Sequence, residues 1–263
     1  MHIDLSGLSA LVTGSTAGIG KAIASGLAAS GAHVIVNGRR SERVEATVSE
    51  LSSVGSIRGV AADVGTADGV ARLIDAAPDV DILVVNAAHM TMIPMLEVTD
   101  EEWMQTFAVN VFSGIRLSRA YVPKMVANRW GRVIFISSES ALQTPAEMAH
   151  YGVSKTAELA ISRGLATTLA GTGVTVNAVL PGPTTSEIFT GMLQDVYVSP
   201  GRAKDLAEAG RQYIAEFRPN SLLGRPATPR EVANMVVYIA SHQAAATSGA
   251  AMRVDGGVLP TIA

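Results

Sequence analysis

A chain of 263 residues with 48% hydrophobic residues, 16% charged residues and a net charge of -3 can bury a sizeable core, and it carries no basic excess pointing to nucleic acid. With no cysteine, disulfides, thiolate catalysis and cysteine metal sites are excluded. The apolar runs fall short of the roughly 18 residues a membrane helix needs, and the N-terminus lacks the basic and apolar blocks of a signal peptide, so a soluble, cytoplasmic protein is expected.

Short β-branched runs recur at 10–12, 33–36, 57–61, 82–85, 132–136, 175–179 and 252–254, with helical stretches between them. Near-continuous apolar strands separated by helices predict a parallel sheet covered on both faces, and right-handed crossovers make it doubly wound. No repeat, low-complexity tract or linker interrupts the pattern, so 1–263 reads as a single α/β domain.

Straight after the first strand comes TGSTAGIG, leading into a helix with Ile19, Ala22, Ile23 and Leu27 on its apolar side. Gly14, Gly18 and Gly20 let the backbone turn tightly and approach a pyrophosphate, whose charge the helix N-terminus then meets. A mere strand-to-helix turn could carry the same glycines, but the position after the first strand of an alternating chain favours a dinucleotide site. At the end of the second strand the sequence runs Asn37, Gly38, Arg39, Arg40, with no acid before Glu42. An acid there would accept the ribose hydroxyls of NAD; two guanidinium forks suit the extra phosphate of NADP instead, or else are solvated at a helix start. Asp63, after the third strand, either accepts from the adenine amino group or caps the next helix.

After the fourth strand, His89 stands at the sheet's carboxyl edge, either touching substrate or satisfied elsewhere. Met90, Met92, Ile93 and Met95 are either a hydrophobic substrate wall or plain core. Thr99 with Glu102, and Thr228 with Glu231, fit the capping box, with Pro229 at the first helical position. Asn110 is expected within the long helix begun at Thr99. Ser138 closes the fifth strand, where a hydroxyl can donate to a carbonyl oxygen that gains charge during hydride addition. Tyr151 and Lys155, four residues apart, share one face of a helix, and an ammonium beside a phenol favours its ionised form. Finally 183–223, with Gly191, Pro200, Gly201 and Pro219, is long and follows a strand end. It reads as a mobile substrate lid with short helices, or as an inert insertion.

Taken in order, TGSTAGIG, Asp63 with Val64, Asn86, Asn110, Ser138, YGVSK and PGPT resemble the short-chain dehydrogenase/reductase family over essentially the whole chain. The resemblance implies a Rossmann-like fold and NADP, with NAD the other candidate, as hydride carrier. It implies a tetrad in which Tyr151 is the acid/base, Lys155 binds the nicotinamide ribose, Ser138 orients the substrate carbonyl and Asn110 holds a relay water. The cofactor would lie along Gly14, Ser15, Thr16, Gly18, Ile19, Gly20, Arg39, Arg40, Asp63, Val64, Asn86, Ala87, Tyr151, Lys155, Pro181 and Gly182, with Thr184 and Ser186 at the nicotinamide carboxamide. One segment departs from the family pattern: Val85 and Ala88 stand where members commonly have asparagine and glycine, and the extra methyl of Ala88 puts the tightness of cofactor binding in doubt.

The family's closing strand, resembled here by SGAAMRVDGGVLPTIA, implies a homotetramer. The expected reaction is reversible conversion of a small-molecule ketone to a secondary alcohol, with no metal and no nucleic-acid or membrane partner. Enoyl reductases are set aside by their longer tyrosine–lysine spacing, and sugar-nucleotide epimerases by their glycine motif. Members grouped with 3-oxoacyl-carrier-protein reductases and sugar-acid dehydrogenases look most similar. A catalytically idle dinucleotide-binding scaffold or redox sensor is the alternative, and a broken tetrad would be its mark.

Overall fold

The computed structural model describes residues 2–262. Seven strands, β1 (Ser9–Val12), β2 (His33–Gly38), β3 (Ile57–Ala61), β4 (Ile82–Val85), β5 (Gly131–Ile136), β6 (Val174–Pro181) and β7 (Ala251–Val254), form one parallel sheet in the order β3-β2-β1-β4-β5-β6-β7. All seven expected strands are present. Alternate residues point to opposite faces, so Val12, Val36, Val84 and Ile134 join one core while Leu11, Ile35, Leu83 and Phe135 join the other.

The helices are α1 (Gly18–Ala29), α2 (Ser41–Leu51), α3 (Ala67–Ala76), α4 (Asp100–Phe107), α5 (Ser113–Ala127), α6 (Ala149–Thr168), α7 (Glu187–Leu193), α8 (Leu206–Phe217) and α9 (Pro229–Ala240). On the first face Ile23 and Leu27 of α1 meet Val232, Val236 and Ile239 of α9. The two helices approach closely at Gly26, where a methyl would lie 3.0 Å from Val237. On the second face Leu73 of α3 packs with Leu117, Tyr121 and Met125 of α5. Leu27 and Leu117 are both fully buried, and truncating either to alanine should cost about 2–5 kcal/mol. The result is the doubly wound, Rossmann-like arrangement, whose crevice opens where connections from β1 and β4 leave in opposite directions.

The helix expected from Thr99 onward is not continuous. A π-helical stretch, Ala108–Phe112, separates α4 from α5 and contains Asn110; such bulges insert one residue and re-aim the side chains around them. The two expected capping boxes also differ. At Thr228 both halves form, and Pro229 opens α9. At Thr99 the threonine accepts from the Glu102 amide at 3.3 Å, but the Glu102 carboxylate does not return to the cap. It is taken by Thr91 and by His89 Nε2, 2.8 Å away, because the 88–95 segment brings two polar partners to it.

Residues 183–223 do contain short helices, α7 and α8, joined through a π turn at Gln194–Val198. They enclose a small core of their own, Leu193, Tyr197, Ala203 and Ala209, backed by Phe189 and Tyr213.

Candidate active site

The glycine-rich turn passes from β1 into α1, and its glycines serve the turn's own closure. Gly14 has φ of +61° and a Cβ there would sit 2.8 Å from Ala87 Cα, while a Cβ on Gly20 would meet Asn86 Nδ2 at 2.4 Å and Gly14 O at 2.6 Å. Asn86 holds the turn from β4 by donating to Thr13 O at 2.8 Å and Gly14 O at 3.1 Å. Thr13 answers, its hydroxyl accepting from the amides of Asn86 and Ala87 at 2.9 and 3.0 Å. Helix α1 begins without a side-chain cap from Ala17, so its first amides are left for other acceptors.

Those amides face a cavity of about 350 Å³ lined by Gly14, Thr16, Gly18, Ile19, Gly20, Arg39, Asp63, Val64, Asn86 and Ala87 among others. Most of the expected cofactor residues are thus on one wall. Two are not. Ser15 is fully buried beneath the turn, donating to Val12 O at 2.7 Å and accepting from Asn37 N at 3.0 Å, so its hydroxyl ties β1 to β2 and does not line the cavity. Arg40 is exposed at the N-cap of α2, away from that wall. Asp63 does not cap α3, a role Thr66 fills; its carboxylate accepts from Gly65 N at 2.9 Å on the cavity wall. Ala88 lines the same space without a positive φ, so its methyl introduces no backbone strain there. Val85 is buried in the core that holds Leu83, Phe135 and Leu117 of α5.

A second cavity adjoins the first, sharing Ile19, Asn86, Ala88 and Ser186, and extends past Met90, Ser138, Tyr151, Lys155, Pro181, Gly182, Thr184 and Phe189. Strand β5 delivers Ser138, α6 delivers Tyr151 and Lys155, and β6 delivers the Pro181 turn. Helix α6 is pinned to the end of β5 by Ser137 Oγ donating to Lys155 O at 2.9 Å and Thr156 Oγ1 to Ala141 O at 2.7 Å. Lys155 Nζ lies 5.7 Å from the centre of the Tyr151 ring. Burial pushes the Tyr151 hydroxyl above the ordinary phenol value, with Lys155 and the Ser138 hydroxyl pulling it back down. Burial also works against the Lys155 ammonium, but Glu158 and Tyr151 more than offset it and hold its pKa above the usual lysine value.

Asn110, the fourth expected catalytic residue, is held against α6 but does not reach the cavity wall. Fully buried, it accepts from His89 N at 2.7 Å and donates to His89 O at 3.0 Å and Ser154 Oγ at 2.9 Å. Both its amide hydrogens are therefore engaged, and its side chain fastens the segment after β4 to α6. His89 is satisfied by Glu102, and the adjacent His150, fully buried, meets Thr91 Oγ1 at 2.9 Å. Met90, Met92 and Met95 are not core: they are 49%, 70% and 54% exposed, and of the three Met90 alone lines the cavity. Thr184 is buried with its hydroxyl on Gly182 O at 2.9 Å, and Ser186 caps α7.

Three acids escaped the sequence reading. Glu139, next to Ser138, accepts from Arg218 Nε at 2.9 Å, joining the 183–223 segment to the turn after β5. Glu187, first residue of α7, accepts from Gly18 N at 2.8 Å. Glu158 accepts from Lys155 Nζ at 2.8 Å, deep under the site. Only the last had a local signal: 151, 155 and 158 form an i, i+4, i+7 stripe on one helix face.

Residues 9–196 match the family model for short chain dehydrogenases. The uncharacterized oxidoreductase YvaG of Bacillus subtilis is 44% identical over the full length of both chains. A 3-oxoacyl-[acyl-carrier-protein] reductase of Rickettsia felis is 32% identical, over 98% of this chain and 99% of that one. Among solved structures, L-sorbose reductase from Gluconobacter frateurii, complexed with NADPH and L-sorbose, superposes with a TM-score of 0.92 at 30% identity, over 100% of both chains. The chain belongs to the short chain dehydrogenase family, and with it to the oxidoreductases.

Proposed function

We propose that the protein is an NADP-dependent oxidoreductase interconverting a small-molecule ketone and the secondary alcohol, with Tyr151 as acid/base. One observation carries the reading: a single cleft runs from Arg39 at one end to Ser138, Tyr151 and Lys155 at the other. The residues fit the cofactor. The uncapped start of α1 already holds a carboxylate, a stand-in for an anion, and Arg39 lies on the wall where an NAD-selecting acid is missing. The NADPH complex of the sorbose reductase supports the same choice.

When bound, NADPH supplies the hydride. Gly18, Ile19 and Arg39 would hold its phosphates, Asn86 and Ala87 would line its path, and Thr184 and Ser186 would face the carboxamide. Ser138 donates to the substrate oxygen and polarises the carbonyl. Tyr151 delivers the proton to that oxygen, and the Lys155 charge steadies the phenolate left behind. In the oxidising direction the phenolate takes the proton back. A homotetramer completes the proposal, supported by β7 ending the sheet with one edge unpaired.

The test is a panel of ketones and ketoacyl thioesters with NADPH and with NADH, run on the parent and on Tyr151→Phe. The variant should bind NADPH nearly as well as the parent, by fluorescence, and lose about 10²- to 10⁴-fold in turnover. Retained turnover would remove Tyr151 from the role. A parent that binds NADPH but reduces nothing would favour the idle-scaffold reading.

A further inference from the structure

Beneath the catalytic pair lies a carboxylate that the proposed chemistry does not use. Glu158 sits one turn beyond Lys155 on α6, and the two side chains are 1% and 2% exposed. Lys155 Nζ donates to Glu158 Oε1 at 2.8 Å and to Ile136 O at 2.8 Å. An ammonium has three hydrogens, so one remains for the cavity that Lys155 lines. Glu158 and the β5 carbonyl therefore grip the ammonium from its buried side and leave the third hydrogen to the cleft. The other carboxylate oxygen, Oε2, is buried with no hydrogen-bond partner.

A buried acid with an orphaned oxygen costs stability in its charged form, so a purely structural role would be better served by an apolar side chain. We propose that Glu158 is a positioning residue for the catalytic pair: it anchors Lys155 from below, and its charge governs how readily Tyr151 ionises. The inference rests on the reading of Tyr151 and Lys155 given above.

The electrostatics run in a definite direction. Lys155 is the one charged group acting on Glu158, whose carboxyl burial pushes up to about 7 against the pull of that ammonium. Tyr151 feels Lys155 and Glu158 from its own helix, and Ser138 and Glu139 from the turn after β5. Glu139 is itself neutralised by Arg218 of the 183–223 segment. Ionised Glu158 opposes the phenolate; protonated Glu158 leaves the Lys155 charge free to favour it. Glu158 thus damps Tyr151 above neutrality and releases it below.

The experiment needs no substrate. Full-length protein labelled with ¹³C at the tyrosine ring carbon bearing oxygen is titrated by NMR, with Tyr151→Phe identifying the Tyr151 signal among five tyrosines. The parent signal should show a second inflection near neutrality in addition to its own ionisation. In Glu158→Gln that inflection should vanish and the Tyr151 midpoint should fall by about one unit, a tenfold gain in phenolate at fixed pH. An unchanged midpoint in Glu158→Gln overturns the proposal. Should that variant not fold, the parent titration decides alone: a single inflection overturns the proposal, two support it. Failure of the acid/base reading would show separately, as turnover retained by Tyr151→Phe whatever the titration gives.

Discussion

Glu187, on the first turn of α7, accepts a hydrogen bond at 2.8 Å from the amide of Gly18, the residue that opens α1. A carboxylate thus occupies the start of the helix where the pyrophosphate of the cofactor would be held. Binding NADPH there means displacing a negative charge by another. Glu187→Gln should therefore tighten NADPH binding about two- to tenfold at low salt, with the difference narrowing as salt rises. Fluorescence titration at two ionic strengths checks it; weaker binding in the variant would make Glu187 a contact and not a competitor.

Arg39 lines the cofactor cavity while Arg40 stands outside it at the start of α2. Arg39→Gln should raise the Kd for NADPH about tenfold or more and leave that for NADH nearly unchanged, since only one of the two carries the extra phosphate. Arg40→Gln should have the smaller effect. Binding measured with both nucleotides separates the two arginines.

Tyr121 is 2% exposed in the core against α3, and its hydroxyl has no partner. Burial pushes its pKa up to about 12. Leaving a buried hydroxyl unpaired costs about 1–3 kcal/mol, so Tyr121→Phe should stabilise the protein, by about 1 kcal/mol or some 2 °C in melting temperature. Calorimetry reads this directly, and a lower Tm would mean the hydroxyl has an ordered water partner.

Glu231 contributes to acid stability. Bonded to Arg225 first, and to the Thr228 amide and hydroxyl, its carboxyl is lowered from 4.5 to about 2. A depressed pKa contributes stability above the unfolded value, and the contribution is lost as pH falls from about 4.5 toward 2. Glu231→Gln should melt a few degrees below the parent at pH 7. The gap should narrow as pH falls below about 4.5 and close only near pH 2, and melting curves across that window check the sign.

Much of the fold was legible because its signals are local. Each strand is a short apolar run and each crossover a helix with its own periodicity, as at Ile23 and Leu27 of α1, so the parallel sheet could be read without knowing any contact. The grouping of Ser138, Tyr151 and Lys155 on one cavity was legible for a related reason: Tyr151 and Lys155 share a helix face by spacing alone, and Ser138 follows a strand that ends at the same edge. Where the reading stopped short, a distant partner decided. The Thr99 box is half formed because Thr91 and His89 claim Glu102, and Asn110 lies in a π turn where its side chain bonds to His89 and Ser154.

Sequence by itself determined the layer order, the glycine turn and the placing of Tyr151 and Lys155 on one helix face, since hydrophobic period, backbone freedom and helical spacing are properties of neighbouring residues. Tertiary structure alone decided that Arg39 and not Arg40 faces the cleft, that Ser15 is buried beneath it, and that Glu187, Glu139 and Glu158 each meet a partner at the site. Electrostatic and hydrogen-bond partners are chosen by distance in space, which the chain reveals only once it has folded.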